Sequence, residues 1–336
     1  MKKLLTVLLL LTVVTLALAS CGRRDDDNVL VLYTSAGASE FELIVDLFTA
    51  AHPDITVEIV SGGTGELASR ITAERANPQG DVLMGGGATT FIGIADMMYP
   101  FESRYVNLLI QDFVPDDNLF TPVYVNLNSI IVNRGMTEAM GISVQGWECL
   151  LDERLRGNIS FASPAESSSA LETIINIMSA MSPTDDFLDG WDFTEQFLRN
   201  LDGRLASSSS AAYLNVVQGE FAVGIANEDK TITYMQAGAD VYAVYAQEGL
   251  VLRSSNIGII RGARNLENAK LFIDFVVSFE NQTAMESGLH VRPARLDVPM
   301  TTVGRLSTDE LHVLPYPPGV VAADIRRDFQ DMWTGF

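Results

Sequence analysis

The sequence predicts an α/β protein of two lobes, each a mixed, mostly parallel sheet flanked by helices and joined by two crossover segments. Three observations indicate this class. Short apolar runs of strand length alternate with amphipathic helical segments, the pattern of sheets covered by helices. The 336 residues suffice for two domains with separate cores. Two long helix-free segments, at 120–133 and 241–260, can carry the chain into a second lobe and back.

The first predicted lobe opens with three strand–helix units. Strands are expected at 29–33, 55–60 and 81–84, each a short apolar run that breaks at a turn of small residues. The helix after the first strand begins near Ser39 and stops at Pro53, because proline cannot continue a helix. Parallel strands in this arrangement bring the turns at their carboxyl ends to one edge of the sheet.

The second predicted lobe comes from another series of strands and helices. Strands are expected at 158–162, 204–206 and 221–226, and helices at 171–181, 193–201, 211–218 and 231–236. A strongly apolar helix at 267–279 is expected to pack back on the first lobe together with the C-terminal tail. The predicted limits are therefore 29–125 plus 262–336 for lobe one and 126–261 for lobe two.

The first 28 residues differ from the rest of the chain. Two lysines precede an apolar run at 4–19, which is the pattern of a secretory signal peptide. The run ends in Leu18-Ala19-Ser20-Cys21-Gly22, which resembles the bacterial lipobox. The resemblance implies that signal peptide 1–20 is removed and Cys21 is lipidated, so that residues 21–28 form a polar tether. We expect an exported protein, anchored by lipid to the bacterial cell membrane; the alternatives are an ordinary signal peptide and an uncleaved anchor.

Charge and motif content narrow the function classes. The formal net charge is −21, or −23 once the two leader lysines are removed, which gives no electrostatic footprint for nucleic acid. With Cys21 lipidated, Cys149 is alone and is interpreted as a packed thiol. The three histidines lack metal-ligand spacing, and zincin, serine-hydrolase and P-loop motifs are missing. We therefore predict a protein that is not an enzyme and has no metal or cofactor. We also expect it to be a monomer.

Small residues at four strand-to-helix turns are candidate ligand contacts. Backbone N–H groups at a helix start lack partners within the helix and favour anions. Each turn taken singly is also explained as an ordinary helix cap. Their repetition favours an oxyanion site for phosphate, phosphonate or carboxylate between the lobes. The candidates are Ser35, Thr64, Gly65, Gly87, Ala88, Thr89, Ser167 and Ser168.

Several sequence blocks occur in an order that is typical of one family. They are Val31–Ser35, Val60–Leu67, Asp81–Gly87, Ser163–Ser168, Gly219–Gly224 and Val291–Pro293, of which Gly62-Gly63-Thr64-Gly65-Glu66 is the most distinctive. Nearly all of the chain after the leader resembles the ferric-ion-binding family of bacterial extracytoplasmic solute receptors. The resemblance implies a type II periplasmic-binding-protein fold that closes over a small ligand and presents it to an ABC permease with its ATPase. Members bind ferric iron, and related ones bind phosphorylated or phosphonate compounds, thiamine-type molecules or polyamines.

The sequence departs from the iron-binding pattern in two places. Iron-binding members carry adjacent tyrosines after the strand that corresponds to 221–226, because Fe³⁺ prefers phenolate and carboxylate oxygens. This chain has Asn227-Glu228-Asp229 there. The turn at 34–37 also lacks the histidine that iron binders often supply. A phosphorylated sugar or organophosphonate is therefore the favoured ligand, and ferric iron is the alternative.

The acidic pair Glu228-Asp229 is the candidate for contacting the other end of the ligand. Carboxylates accept hydrogen bonds from sugar hydroxyls and pair with ammonium groups. The alternative is a solvated helix start, where acids are common. Arg292 either pairs with the anion or lies at the lobe surface. Two other classes stay open: an enzyme that processes phosphate esters, and a structural surface lipoprotein.

Overall fold

The computed structural model describes residues 28–335. The predicted signal peptide at 1–20, the lipidation site Cys21 and most of the tether at 21–28 lie outside the described residues. Among the described residues, no helix is long and apolar enough to cross a membrane.

The described residues form thirteen strands and eleven α-helices. The strands are β1 (Val29–Thr34), β2 (Thr56–Ser61), β3 (Val82–Met84), β4 (Met98–Tyr99), β5 (Thr121–Asn126), β6 (Asn128–Asn133), β7 (Ile159–Ser160), β8 (Val223–Asn227), β9 (Val241–Val244), β10 (Leu250–Val251), β11 (Arg253–Ile260), β12 (Arg292–Pro293) and β13 (Val313–Leu314). The helices are α1 (Ala38–Ala51), α2 (Thr64–Ala73), α3 (Ala88–Gly93), α4 (Arg134–Met140), α5 (Ser168–Met181), α6 (Trp191–Asn200), α7 (Ser209–Val217), α8 (Glu228–Gln236), α9 (Leu266–Val276), α10 (Phe279–Leu289) and α11 (Ala322–Trp333).

The first sheet contains seven strands in the order β12-β5-β11-β3-β1-β2, with β4 paired to β11. β1 is parallel to β2 and β3, and β11 is antiparallel to β3, β4 and β5. Side chains of β1 alternate between two apolar layers, as the period of a strand requires. Leu30 and Leu32 pack with Phe48 of α1, whereas Tyr33 packs with Leu67 of α2 and Phe91 of α3. The sheet is therefore covered by helices on both faces.

The second sheet contains four strands in the order β7-β8-β6-β9. β6 is antiparallel to β8 and β9, and β7 is parallel to β8, so the sheet is mixed with more antiparallel than parallel pairs. A separate core packs against it and includes Ile130 of β6, Ile174 of α5, Phe197 of α6 and the fully buried Trp147. Each sheet thus has its own core, as a chain of this length allows.

The chain passes from the first sheet to the second at Leu127, between β5 and β6, and returns from β9 to β11 through β10, which pairs with β13 in a separate two-stranded sheet. The sequence analysis assigned β11 to lobe two, but its hydrogen bonds to β3 and β5 put it in the first sheet. A long helix-free segment such as 241–260 does not show where one strand ends and the next begins. The lobe limits stay a prediction, and the pairing favours a return at about residue 252.

The C-terminal tail differs from the expectation that it packs on lobe one. β13 pairs with β10, and α11 buries Ile325 and Phe329 in the core of the second sheet. The apolar stretch at 267–279 is not one helix, because Ser278 begins α10 by accepting a hydrogen bond from the Asn281 amide. An amphipathic pattern shows that a helix has a buried face, but not which core that face meets.

Candidate functional site

A cleft of about 830 Å³ opens between the turns that follow β1 and β3 and the start of α5. Six of the ten predicted contact residues line it: Ser35, Thr64, Gly65, Gly87, Thr89 and Ser168. Ala88 borders an adjoining cavity of about 320 Å³, which shares Gly87 and Thr89 with the cleft. The small-residue turns of the sequence therefore converge on one space.

Two glycines after β3 make this convergence possible. Gly85 and Gly86 have φ angles of 101° and 85°, a backbone region that favours glycine. A Cβ atom on Gly85 would lie 2.5 Å from Ser35 Oγ, and one on Gly86 would lie 2.8 Å from Thr64 Cγ2. The Gly85 amide donates to the Asn256 carbonyl at 2.8 Å, which ties the turn to β11. The close approach of the three turns therefore requires glycine at both positions.

The helices α1, α2, α3 and α5 all begin at this cleft. Their N-cap residues are Gly37, Gly63, Gly87 and Ser167. The first N–H groups of each helix have no partner within the helix and carry partial positive charge. Ser167 differs from the glycine caps, because its Oγ accepts a hydrogen bond from the Ala170 amide at 3.1 Å and lies 3.1 Å from Ser209 Oγ. The Ser167 hydroxyl is therefore already engaged within the protein.

Arg253, the first residue of β11, lines the cleft and was missed by the sequence analysis. Its Nη2 donates to Oδ1 of Asn128 at 2.9 Å and to Oδ1 of Asn227 at 2.7 Å. Burial lowers the pKa of the Arg253 guanidinium, and the charge of Glu172 acts in the opposite direction. The one available signal was a charged residue at the polar start of a strand whose second half is apolar. Its two hydrogen-bond partners are neutral, so the positive charge stays available to a ligand.

The opposite wall of the cleft carries Glu172 of α5 and Arg326 of α11. Burial raises the pKa of Glu172, while the charges of Arg253 and Arg326 and the hydroxyl of Tyr316 oppose that shift. Arg326 Nε donates to the Pro164 carbonyl at 3.2 Å. No sequence motif marked Glu172, Tyr316 or Arg326, because they meet only through the packing of α11 on α5.

Glu228 is buried in an ion pair and does not line the cleft. Arg292 donates to both of its carboxylate oxygens, from Nε at 2.7 Å and from Nη2 at 2.6 Å. The Tyr245 hydroxyl donates to the same carboxylate at 2.5 Å. Arg292 is on β12 of the first sheet and Glu228 begins α8 after the second, so the pair links the two. This geometry favours a structural role, and the predicted ligand contact stays a prediction.

Asp229 lies in a second buried cluster, beneath the cleft wall. Its Oδ2 is 2.7 Å from Lys230 Nζ. Nearby Glu40 accepts a hydrogen bond at 3.0 Å from the hydroxyl of Tyr124, and Tyr124 lines the cleft. Burial raises the pKa of Glu40 to about 7, with Lys230 and Tyr124 acting to lower it and Asp229 to raise it. Asp229 therefore pairs with a protein cation and does not line the cleft, and its predicted ligand contact stays a prediction.

The structure also bears on two other sequence features, the possible metal ligands and Cys149. Among residues 28–335, no group of three or more His, Cys, Asp or Glu side chains could hold a metal ion. Cys149 is half-buried against the second core, and its Sγ lies 3.5 Å from the Ser143 carbonyl oxygen.

The family of bacterial extracellular solute-binding proteins matches residues 44–307, and the chain belongs to this family. The chain is 27% identical over 283 residues to a putative 2-aminoethylphosphonate-binding periplasmic protein of Salmonella typhimurium, covering 81% of this chain and 80% of that protein. Membership confirms the predicted role of an exported receptor for an ABC importer, with a small-molecule ligand, and not an enzyme.

Solved structures with the same architecture confirm the predicted two-lobed type II fold. The periplasmic binding protein AfuA from Actinobacillus pleuropneumoniae, solved with fructose-6-phosphate bound, has a TM-score of 0.79 and 25% identity, covering 91% of this chain and 97% of AfuA. Iron-bound HitA from Pseudomonas aeruginosa has a TM-score of 0.74 and 20% identity, covering 91% and 98%. The second likeness concerns the fold alone.

Proposed function

We propose that this receptor binds a phosphorylated sugar in the cleft, with the phosphate at the turns of the first sheet. The observation that carries the proposal is Arg253, a cation at the cleft whose hydrogen-bond partners are both neutral amides. The starts of α1, α2 and α3 supply N–H groups beside it. A phosphate or phosphonate satisfies donors of both kinds, because charge-assisted hydrogen bonds to its oxygens are the strongest available.

The carboxylates that line the cleft indicate the chemistry of the part of the ligand that carries no phosphate. Glu66 accepts from the Gly63 amide at 3.4 Å and so caps its own helix. Glu172 lies close to two arginines, whose charges favour its ionised form. Hydroxyl groups can donate to the Glu172 carboxylate and accept from the two arginines, whereas an ammonium group can only donate and meets the arginines as like charges. This favours a sugar phosphate over an aminoalkylphosphonate, in line with the ligand named for AfuA rather than that named for the Salmonella relative.

Binding is proposed to act by closure of the two sheets over the ligand. The anion binds the first-sheet turns, and groups from α5 and α11 bind the rest of the ligand, so the ligand favours the closed form by that difference in contacts. The closed receptor then engages the permease. We also propose that Cys21 carries the lipid anchor, with 21–28 as the tether of a monomeric receptor; the sequence pattern supports this.

Calorimetric titration of the purified protein with fructose 6-phosphate, 2-aminoethylphosphonate and ferric citrate tests the proposal. We expect the sugar phosphate to bind most tightly and Arg253→Met to weaken it about 100-fold, equivalent to about 2.7 kcal/mol. Arg261→Met is the matched control, because Arg261 follows the same strand but donates to the Asp96 carbonyl outside the cleft. Tight binding of ferric iron, or unchanged affinity in Arg253→Met, would contradict the proposal.

A further inference from the structure

The C-terminal helix α11 forms part of the cleft, although it lies beyond the family match at 44–307. Its apolar face is fixed by Ile325 and Phe329, which are buried in the core of the second sheet. The next residue after Ile325 is Arg326, which lines the cleft together with Ala322. The position of Arg326 is therefore set by a packed helix and not by a loop.

The guanidinium of Arg326 has donors left over after its protein contacts. Its Nε donates to the carbonyl of Pro164 at 3.2 Å, which holds the side chain beside the turn before α5. Within residues 28–335, its two terminal nitrogens have no hydrogen-bond partner. Glu172 is close enough for its pKa to respond to Arg326, but the two do not form an ion pair. These N–H groups line the cleft and are free to donate to the oxygen atoms of a ligand that enters it.

The two cleft arginines come from opposite sides. Arg253 belongs to β11 of the first sheet, whereas Arg326 belongs to a helix that packs on the second. Both arginines line the same cleft and both act on Glu172, so a ligand with its anion at the helix starts beside Arg253 can reach Arg326 with its remaining groups. The far end cannot be cationic, because an ammonium group next to a guanidinium is repelled.

We propose that Arg326 is a ligand-binding residue that selects for acceptor groups, such as sugar hydroxyls or carbonyl oxygens, at the end of the ligand remote from its phosphate. The assignment rests on the proposed function, since it needs an anion at the first-sheet turns. It adds that α11 supplies part of the specificity. Guanidinium N–H groups bind such oxygens with fixed geometry, which a lysine does not reproduce.

The test uses two probes, fructose 6-phosphate and inorganic phosphate, on wild type and variants by calorimetric titration. Arg326→Met keeps the length of the side chain but removes its donors. We expect it to weaken fructose 6-phosphate at least about tenfold and to leave inorganic phosphate within about twofold, since that probe reaches only the anion end. Arg253→Met should weaken both probes.

The matched control is Arg327→Met, because Arg327 lies on the same helix but is exposed and pairs with Asp324 and Asp328. It should bind both probes as wild type does. Arg326→Lys keeps the charge and is expected to restore only part of the affinity for fructose 6-phosphate. If Arg326→Met lowers the unfolding temperature, the same two titrations of Arg326→Lys and wild type are compared instead.

Each result decides a separate point. Unchanged affinity for fructose 6-phosphate in Arg326→Met would overturn this inference while leaving the proposed function intact. Equal weakening of both probes would show that Arg326 acts at the anion end, which also contradicts the inference. Failure of wild type to bind either probe would overturn the proposed function itself.

Discussion

Two arginines near the crossings between the sheets have opposite environments. Arg292 is 3% exposed and donates to both carboxylate oxygens of Glu228. Arg253 faces the cleft and donates only to the neutral amide oxygens of Asn128 and Asn227. Both are attached to the first sheet, and both reach groups of the second.

The difference separates a structural charge from a charge that can bind. The charge of Arg292 is neutralised within the protein by Glu228. The attraction in a buried pair offsets the cost of removing both charges from water only if the contacts are close. The charge of Arg253 has no carboxylate in contact. An anion that enters the cleft can therefore pair with Arg253 as Glu228 pairs with Arg292. We infer that contact with a carboxylate, more than burial, distinguishes the two roles.

The largest expected effect is on folding, from Arg292→Met. This change leaves the Glu228 carboxylate buried, with the Tyr245 hydroxyl as a hydrogen-bond donor and the charge of Arg305 acting on it without a direct ion pair. Removing one partner of a buried pair typically costs about 3–5 kcal/mol. Urea unfolding should show a loss of this size, while Arg253→Met should lose less, about 1–3 kcal/mol, because it leaves the amide oxygens of Asn128 and Asn227 without this donor.

The double variant Arg292→Met/Glu228→Gln is the control for that experiment. Replacing both charges removes the uncompensated carboxylate, so most of the lost stability should return. If Arg292→Met is no less stable than Arg253→Met, the proposed distinction between the two arginines is wrong.

The same comparison applies to two buried carboxylates. Glu228 has a guanidinium in contact, whereas Glu40 is 6% exposed, accepts from the Tyr124 hydroxyl and has no partner at Oε1 among the described residues. Burial raises the pKa of Glu40 from 4.5 to about 7. Between these two pH values the native state binds more protons than the unfolded state, so stability falls as pH rises.

Glu40→Gln tests this expectation of intermediate size. The stabilising contribution of protonated Glu40 is fully present below pH 4.5 and is lost as the pH rises through about 7. The loss is at most on the order of 3 kcal/mol, given 1.36 kcal/mol per unit. Unfolding free energies at pH 5 and 8 should therefore differ less in Glu40→Gln than in wild type. The exposed Glu42 of the same helix provides the control, Glu42→Gln, which should retain the wild-type slope.

The small-residue turns on the first-sheet side of the cleft could be predicted from sequence, because their signal is local. Ser35, Thr64 and Gly87 each follow an apolar strand, and strand ends of a parallel sheet meet at one edge. Sequence reasoning missed Arg253 and Arg326, which reach the cleft through the path of β11 and the packing of α11. No local pattern records such tertiary placement.

The acidic pair Glu228-Asp229 also shows that the sequence does not reveal which distant residues a side chain will contact. Glu228 was interpreted as a ligand contact, but its partner Arg292 lies 64 residues away in the chain. The pair forms only when β12 joins the first sheet beside β5. A charged residue can therefore be recognised from sequence as unusual, while whether its charge is free depends on a distant partner.

The smallest expected effect comes from two adjacent serines, one engaged within the protein and the other facing the cleft. Ser167 is buried and caps α5 through the Ala170 amide, whereas Ser168 is exposed and lines the cleft. Loss of an N-cap costs about 1 kcal/mol, so Ser167→Ala should lower the unfolding free energy by this amount and leave the affinity for fructose 6-phosphate within about twofold. Ser168→Ala should keep the stability and weaken the ligand a few-fold, by about 1 kcal/mol, through a lost hydroxyl contact. Paired urea unfolding and titration check both, and an affinity loss confined to Ser167→Ala would mean that the engaged serine, and not the free one, contacts the ligand.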